Sequence, residues 1–290
     1  MLSMIEEADP LIIMALREDL GDAGDVTSEA LFSNERRSCV LRSKESGVLA
    51  GIEIFRRVYH HVDTGVTVKL LRRDGDVLEP GDRVAEISGR AASLLAAERV
   101  ALNFLSLLSG IATATRAFVE AARRRGRTRI LDTRKTIPGY RVLSKYAVKI
   151  GGGDNHRMGL YDMVLIKDNH IDSAGSVARA VKSARSRWQD RYRIEVECRS
   201  LAEVREAVRA GADIVMLDNM ELPDVRAAVH WVKEKTGGAV STEASGNVGL
   251  DDIEALAEAG VDRISVGRIT HSAGAFDFTI LCPEQAADHG

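Results

Sequence analysis

The residues from Asp132 to His170 read DTRKTIPGYRVLSKYAVKIGGGDNHRMGLYDMVLIKDNH. They crowd Arg134, Lys135, Arg141, Lys145, Lys149, His156, Arg157, Lys167 and His170 into one stretch of a chain whose formal net charge is -3. Arginine grips a carboxylate or phosphate in a planar fork, and lysine adds a compact point charge. Cations that converge without matching carboxylates repel one another unless a multiply charged anion sits among them. Arg134, Lys135, Arg157 and Lys167 fall at the ends of apolar runs or in a glycine-rich loop, where side chains reach ligands. Arg141, Lys145 and Lys149 recur at helical spacing and read as a solvated helix face. His156 follows Gly151-Gly152-Gly153, which suit a close approach to a ligand or a tight helix exit. His156 and His170 each fit either a donor to a ligand or a structural histidine.

A second constellation lies downstream. Glu197 and Asp218 close successive apolar runs, so their carboxylates can meet. Paired acids there suit Mg²⁺, a sugar diol or acid/base work, and an ion pair to the cations is the alternative. The segments EASGNVGLDD, with Ser245, Gly246 and Asn247, and ISVGRITHSAG, with Ser265 and Gly267, have the composition from which backbone N–H groups cradle a phosphate. Two anion sites with an acidic pair between them describe a polyanionic acceptor and a phosphorylated sugar.

The elements that must position these residues follow from the hydrophobic pattern. A helix is predicted over 9–20, with Asp9 and Pro10 as N-cap and first helical residue. Short β-like runs with Gly/Asp turns fill residues 39–87, interrupted by a helix around 50–61. A long Leu/Ala-rich helix starts near Ser93, with a break or bend expected at Gly110. Strands at 129–133, 163–167, 193–197, 213–218, 239–244 and 262–267 then alternate with helices at about 139–150, 174–187, 200–210, 222–235 and 250–259. Apolar strands alternating with helices imply a parallel sheet, and this many units in series favour a barrel. In a barrel the chemistry gathers at the carboxyl ends of the strands. Those ends here carry Thr133-Arg134-Lys135, Lys167-Asp168-Asn169-His170, Glu197, Asp218-Asn219, Ser245-Gly246-Asn247 and Gly267-Arg268.

At 290 residues the chain has room for one large α/β domain, or one with a smaller companion. The charge balance gives no pull toward nucleic acid or an anionic membrane. Cys39, Cys198 and Cys282 form no metal spacing and no disulfide framework, which suits a reducing, cytoplasmic setting. The acidic N-terminus does not read as a signal peptide, and no apolar run suggests a membrane span.

The series DTRKTIPGYR, GGGDNHRMGLYDMVLIKDNHI, IEVE, VMLDNM, EASGNV and RISVGRITHSA resembles the quinolinate phosphoribosyltransferase family. So do ALREDLGDAGDVTSEAL, ESGVLAGIEIF and AAERVALNFLSLLSGIAT near the front. The resemblance implies an α/β fold of the type II phosphoribosyltransferases. An α/β sandwich domain would occupy 1–108, with 271–290 packing back on it, and an open TIM-like α/β barrel would occupy 109–270. It implies transfer of phosphoribose from phosphoribosyl pyrophosphate to quinolinate with loss of carbon dioxide, requiring Mg²⁺, on the route to NAD. Carried over, Arg134, His156, Arg157 and Lys167 would surround the quinolinate carboxylates, with Thr133 and Lys135 lining the same pocket. Glu197 and Asp218 would face the ribose hydroxyls and the metal, and with Lys135 form the catalytic set. Ser245, Gly246, Asn247, Ser265 and Gly267 would hold the phosphate end. Arg99 matches an arginine that the family donates from a neighbouring subunit, implying a homodimer or larger homo-oligomer. Asn247 departs from the family, where a second glycine is common, and Cys198 stands where valine is common. A same-fold relative acting on another pyridine carboxylate, or associated with molybdate transport, is the alternative. A phosphosugar aldolase or isomerase would instead use Lys167 as a Schiff-base lysine, and a non-catalytic phosphosugar-binding protein would need no acidic pair.

Overall fold

The computed structural model describes residues 2–282, with side chains from residue 7 on. Two helices come first, α1 (Leu2–Leu20) and α2 (Val26–Leu31). Strands β1 (Arg36–Ser43) and β2 (Gly47–Val48), helix α3 (Ile52–Val62), and strands β3 (Thr67–Leu70), β4 (Val77–Leu78) and β5 (Arg83–Arg90) follow. The long helix α4 (Ala91–Arg123) leads into an alternating region. There β6 (Arg129–Leu131) precedes α5 (Arg141–Ile150), and β7 (Val164–Ile166) precedes α6 (Asp168–Ala174) and α7 (Val177–Trp188). Next come β8 (Ile194–Cys198), α8 (Leu201–Ala210), β9 (Ile214–Asp218) and α9 (Leu222–Thr236). The run ends with β10 (Ser241–Ser245), α10 (Ile253–Glu258), β11 (Arg263–Ser265), α11 (Arg268–His271) and β12 (Phe278–Leu281). The chain forms two compact units: one through Ala114 with Ile137–Gly151 and from Ala273 on, the other Thr115–Thr136 with Gly152–Ser272.

The first unit is built on an antiparallel sheet in the order β12-β1-β5-β3. Along β1 the side chains of Cys39, Leu41 and Ser43 alternate inward, the period of a strand with one buried face. Helix α3 buries Ile52, Phe55 and Tyr59 at helical spacing, with the Phe55 and Tyr59 ring centroids 5.2 Å apart. Helix α1 begins at Leu2 and runs through Pro10, so Asp9 is not its N-cap. The Asp9 carboxylate is instead held by Arg57 and His61 of α3, a contact that the Asp-Pro signal does not encode. The expected isolation of the cysteines is overturned as well. Strand β12 returns to β1 with Val40 opposite Leu281, and Cys39 and Cys282, 243 residues apart, form a disulfide. Of the segment 271–290, residues 283–290 lie outside the described residues.

Two further expectations fail in this unit for packing reasons. Helix α4 does not break at Gly110 but runs on as one helix from Ala91 to Arg123. The glycine is there because the Gly274 carbonyl occupies the space a side chain would take. By length and composition α4 could cross a membrane, but 61% of its most apolar window is buried in the fold, as befits a core helix. On α5, Lys145 is not part of a solvated face: it is 1% exposed, whereas Lys149 is exposed and Arg141 half-buried. A buried ammonium has to be paired, so helical spacing alone misassigned it.

The second unit carries six parallel strands in the order β6-β11-β10-β9-β8-β7. Consecutive strands β6 and β7 lie at opposite edges, the topology of an open α/β barrel. The chain leaving Gly152, at φ +93, runs along the β6 edge: Asp154 donates its N–H to Ile130 O at 2.7 Å, and Asp132 donates to Asp154 O at 3.2 Å. The glycine run is thus a helix exit that delivers His156 to the interior.

Candidate active site

One cavity of about 850 Å³ touches the carboxyl end of every barrel strand. It gathers Thr133, Arg134, Lys135, His156, Arg157, Lys167, Glu197, Asp218, Ser245, Gly246, Asn247, Ser265 and Gly267. Arg99 is not in this lining; it is exposed on α4 in the first unit. His170 is not in the lining; its Nδ1 accepts the Lys167 N–H at 2.9 Å at the start of α6, a structural role.

The cations come from the loop after β6 (Arg134, Lys135), the segment between α5 and β7 (His156, Arg157) and the end of β7 (Lys167). The Arg157 side chain reaches the Met163 carbonyl at 3.3 Å. Burial, and then the neighbouring Arg134, lower the Arg157 pKa, against the pull of Glu195 and Asp162. Lys135 is steadied through its backbone: its N–H donates to Thr133 Oγ1 at 3.0 Å and its carbonyl accepts from Thr270 Oγ1 at 2.8 Å. The Lys135 chain and the His271 ring pass over Gly267, each about 3.2–3.3 Å from where a side chain there would begin.

The acids follow on β8 and β9. Lys167 Nζ lies 2.9 Å from Glu197 Oε2. Asp218 is pushed up from the ordinary carboxylate range, first by burial and then by Glu197. A carboxylate pushed up by burial and by a neighbouring carboxylate in a concave site favours a cation there. Beyond them, Gly246 (φ +104) and Asn247 (φ +44) take left-handed conformations at the end of β10. Asparagine tolerates that conformation better than other side chains, so Asn247 can hold it without being glycine.

Sequence reasoning missed the layer below. Counting back two residues along each strand, which keeps the same face, leads from Glu197 to Glu195, from Ser245 to Glu243 and from Ser265 to Arg263. These side chains are 0%, 0% and 7% exposed. His156 reaches into the group, with Nε2 3.0 Å from Glu195 Oε2 and 3.4 Å from Glu243 Oε1, and Arg263 Nε stands 3.4 Å from Glu243. Burial by itself lowers the His156 pKa, but the two carboxylates outweigh it and raise it to about 9. Burial and then Glu243 raise Glu195, whereas His156 and Arg263 hold Glu243 down against its burial. The pocket therefore has a charged, internally compensated floor. Asn219 and Arg268, read at the strand ends but given no role, and His271, which was not singled out, also line the cavity.

The comparisons with known proteins agree along the chain. The description "Quinolinate phosphoribosyl transferase, N-terminal domain" matches residues 25–109, and its C-terminal counterpart matches 111–281. The chain belongs to the quinolinate phosphoribosyltransferase family. Within that family it is 43% identical over 263 residues to the probable nicotinate-nucleotide pyrophosphorylase [carboxylating] of Bacillus subtilis (strain 168), covering 91% of this chain and 89% of that one. It is 42% identical to the chloroplastic enzyme of the same name from Arabidopsis thaliana, covering 96% and 83%. Among solved structures, NadC from Streptococcus pyogenes superposes with a TM-score of 0.90 at 42% identity, covering 96% and 98%. The nicotinate-nucleotide pyrophosphorylase from Francisella tularensis does so with 0.90 at 38%, covering 96% and 97%. The α/β sandwich and open barrel of quinolinate phosphoribosyltransferases are thus the fold of this chain.

Proposed function

We propose that this protein transfers phosphoribose from phosphoribosyl pyrophosphate to the ring nitrogen of quinolinate, with loss of carbon dioxide. The products are nicotinate mononucleotide and pyrophosphate, on the route to NAD. The observation that carries this reading is the division of one cavity into a cationic half, a carboxylate pair and a serine/glycine half. Arg134, Arg157 and Lys167 receive the two carboxylates of quinolinate, with Thr133 beside them. Two arginines held as neighbours suit a ligand that brings two carboxylates. His156 lies at the bottom of this half, braced by Glu195 and Glu243.

Breaking the bond from C1 of the ribose to pyrophosphate builds positive charge on the sugar, which Glu197 and Asp218 stabilise electrostatically as the ring nitrogen forms its bond to C1. Lys135, next to Gly267, adds positive charge toward the leaving group. Ser245, Gly246, Asn247, Ser265 and Gly267 hold the phosphate end. The alkylated nitrogen is cationic, so the adjacent carbon–carboxylate bond breaks with its electron pair left on the ring carbon, which then takes a proton. Exclusion of water around that carboxylate favours its loss. The hard oxygens of Glu197 and Asp218, and the upward shift of Asp218, fit Mg²⁺, which when bound neutralises charge on the pyrophosphate. Arg99 completes the quinolinate site of a neighbouring subunit in a homodimer or larger homo-oligomer.

The test is to incubate the purified protein with quinolinate, phosphoribosyl pyrophosphate and Mg²⁺, following nicotinate mononucleotide and carbon dioxide. Product from nicotinate but not quinolinate would overturn the assignment. Arg134→Ala and Arg157→Ala should raise the KM for quinolinate far more than that for phosphoribosyl pyrophosphate. Mixing inactive Arg99→Ala and Lys167→Ala protomers should restore activity if the site is shared.

A further inference from the structure

Asn219 follows Asp218 and holds a left-handed conformation, φ +50. Its N–H donates to the Ser245 carbonyl at 3.0 Å, tying the end of β9 to the end of β10. Its side chain makes two further contacts. The amide Nδ2 donates to Asp218 Oδ2 at 2.9 Å, so one carboxylate oxygen is engaged from the side. The rest of the carboxamide fills the space over Gly246, where even a methyl group would overlap it. Side chain and backbone of one residue thus connect an acid of the proposed ribose site to the glycine of the proposed phosphate cradle.

We infer that Asn219 is a positioning residue for the phosphoribosyl half of the cavity, orienting the Asp218 carboxylate and fixing its distance from the Gly246–Asn247 loop. The inference rests on the reading of Asp218 and Gly246 given above. Three features of the residue type fit the role. Asparagine accepts a left-handed backbone, its amide nitrogen donates to a carboxylate, and its length reaches the neighbouring strand end. Aspartate would satisfy the first but would set a second acid against Asp218. Glycine would satisfy the first and leave the carboxylate free to rotate. Glycine at 246 is the other half of the fit, because a side chain there would push the carboxamide off Asp218.

The test uses full-length protein and calorimetric titration with phosphoribosyl pyrophosphate in the presence of Mg²⁺, and separately with quinolinate. Asn219→Gly keeps the backbone relaxed and removes the carboxamide. Asn219→Asp keeps shape and conformation and removes the donor. Both should weaken phosphoribosyl pyrophosphate binding about tenfold or more while quinolinate binding stays within about twofold. The thermal midpoint of Asn219→Gly should move by no more than a degree or two. Gly246→Ala should weaken the same ligand, and by less in the Asn219→Gly background, where the overlap is gone. Asp218→Asn is measured alongside. If it weakens phosphoribosyl pyrophosphate and the Asn219 variants do not, the positioning role is wrong and the site assignment stands. If Asp218→Asn has no effect, the assignment of Asp218 fails and the role of Asn219 fails with it. Equal losses for both ligands in the Asn219 variants would show a merely structural residue and overturn the inference.

Discussion

Lys167 Nζ and Glu197 Oε2 lie 2.9 Å apart and join the cationic half of the cavity to its acidic pair. The lysine is half exposed and the glutamate 14% exposed, so the pair by itself is worth little as a stabilising bridge. Its consequence is competition: the carboxylate that holds Lys167 is a rival of any carboxylate ligand arriving at that ammonium.

Replacing each partner should therefore move quinolinate affinity in opposite directions. Lys167→Met keeps the length, removes the charge, and should weaken quinolinate binding by about 2–3 kcal/mol, a loss of roughly 30- to 150-fold. Glu197→Gln should tighten quinolinate by a few-fold while lowering turnover by ~100-fold, because the rival is gone and the ribose loses its carboxylate. Calorimetric binding of quinolinate, set beside kcat, checks both signs.

A pH effect on stability is expected from the Asp9 clamp on α3. The side-chain hydrogen bond from Arg57 is the largest cause holding the Asp9 pKa at about 2, below its ordinary 3.8. A depressed carboxylate stabilises the fold above its unfolded pKa, and the contribution is lost as pH falls through the folded one. The full linkage for such a shift is about 2.5 kcal/mol, reduced to about 1 kcal/mol here for a partly solvated pair. Urea unfolding of Asp9→Asn should fall short of wild type by that amount at pH 7. The gap should about halve near pH 3.

Reduction supplies a third expectation. The Cys39–Cys282 disulfide fastens β12 to β1 and closes a loop of 243 residues. Removing a cross-link of that kind costs about 2–4 kcal/mol through the entropy returned to the unfolded chain. Cys282→Ser, or wild type in dithiothreitol, should unfold at lower urea concentration than the oxidised protein. Intact mass before and after alkylation should count one protected pair and one free thiol, Cys198, whose burial pushes its pKa up.

How far the sequence could be read depends on which physical signal each residue carries. Glu197, Asp218 and Lys167 were legible because a polar residue ends an apolar run, and in a parallel barrel the run's end is the cavity mouth. Glu195 and Glu243 were not, because a charge inside a strand looks like a solvent-facing position until the curl of the sheet turns that face inward. Lys145 failed for the reverse reason: helical spacing marked a face, and spacing does not say whether that face is wet. Cys39 and Cys282 carry no signal in their separation, since only the return of β12 makes them neighbours. Asn219 sat in view beside Asp218, but its part depends on the missing side chain at Gly246, which requires the β9–β10 register.

Gly110 gives the sharpest disagreement between local propensity and tertiary packing. It lies within α4, a helix of 33 residues, and glycine in a helix interior is worth about 1 kcal/mol less than alanine. On propensity alone, Gly110→Ala should stabilise the protein by that amount. The Gly274 carbonyl stands where the new methyl group would go, with Ala275 Cα 3.4 Å away, and this is backbone rather than a side chain that can swing aside. The segment after Gly274 is also anchored, for Phe276 donates its N–H to Ser106 O at 2.9 Å. Overpacking against fixed backbone costs about 1–3 kcal/mol or more, which outweighs the propensity gain. Gly110→Ala should therefore lower the urea midpoint with an unchanged slope, whereas Gly110→Ala with a higher midpoint would show that the Gly274 turn yields.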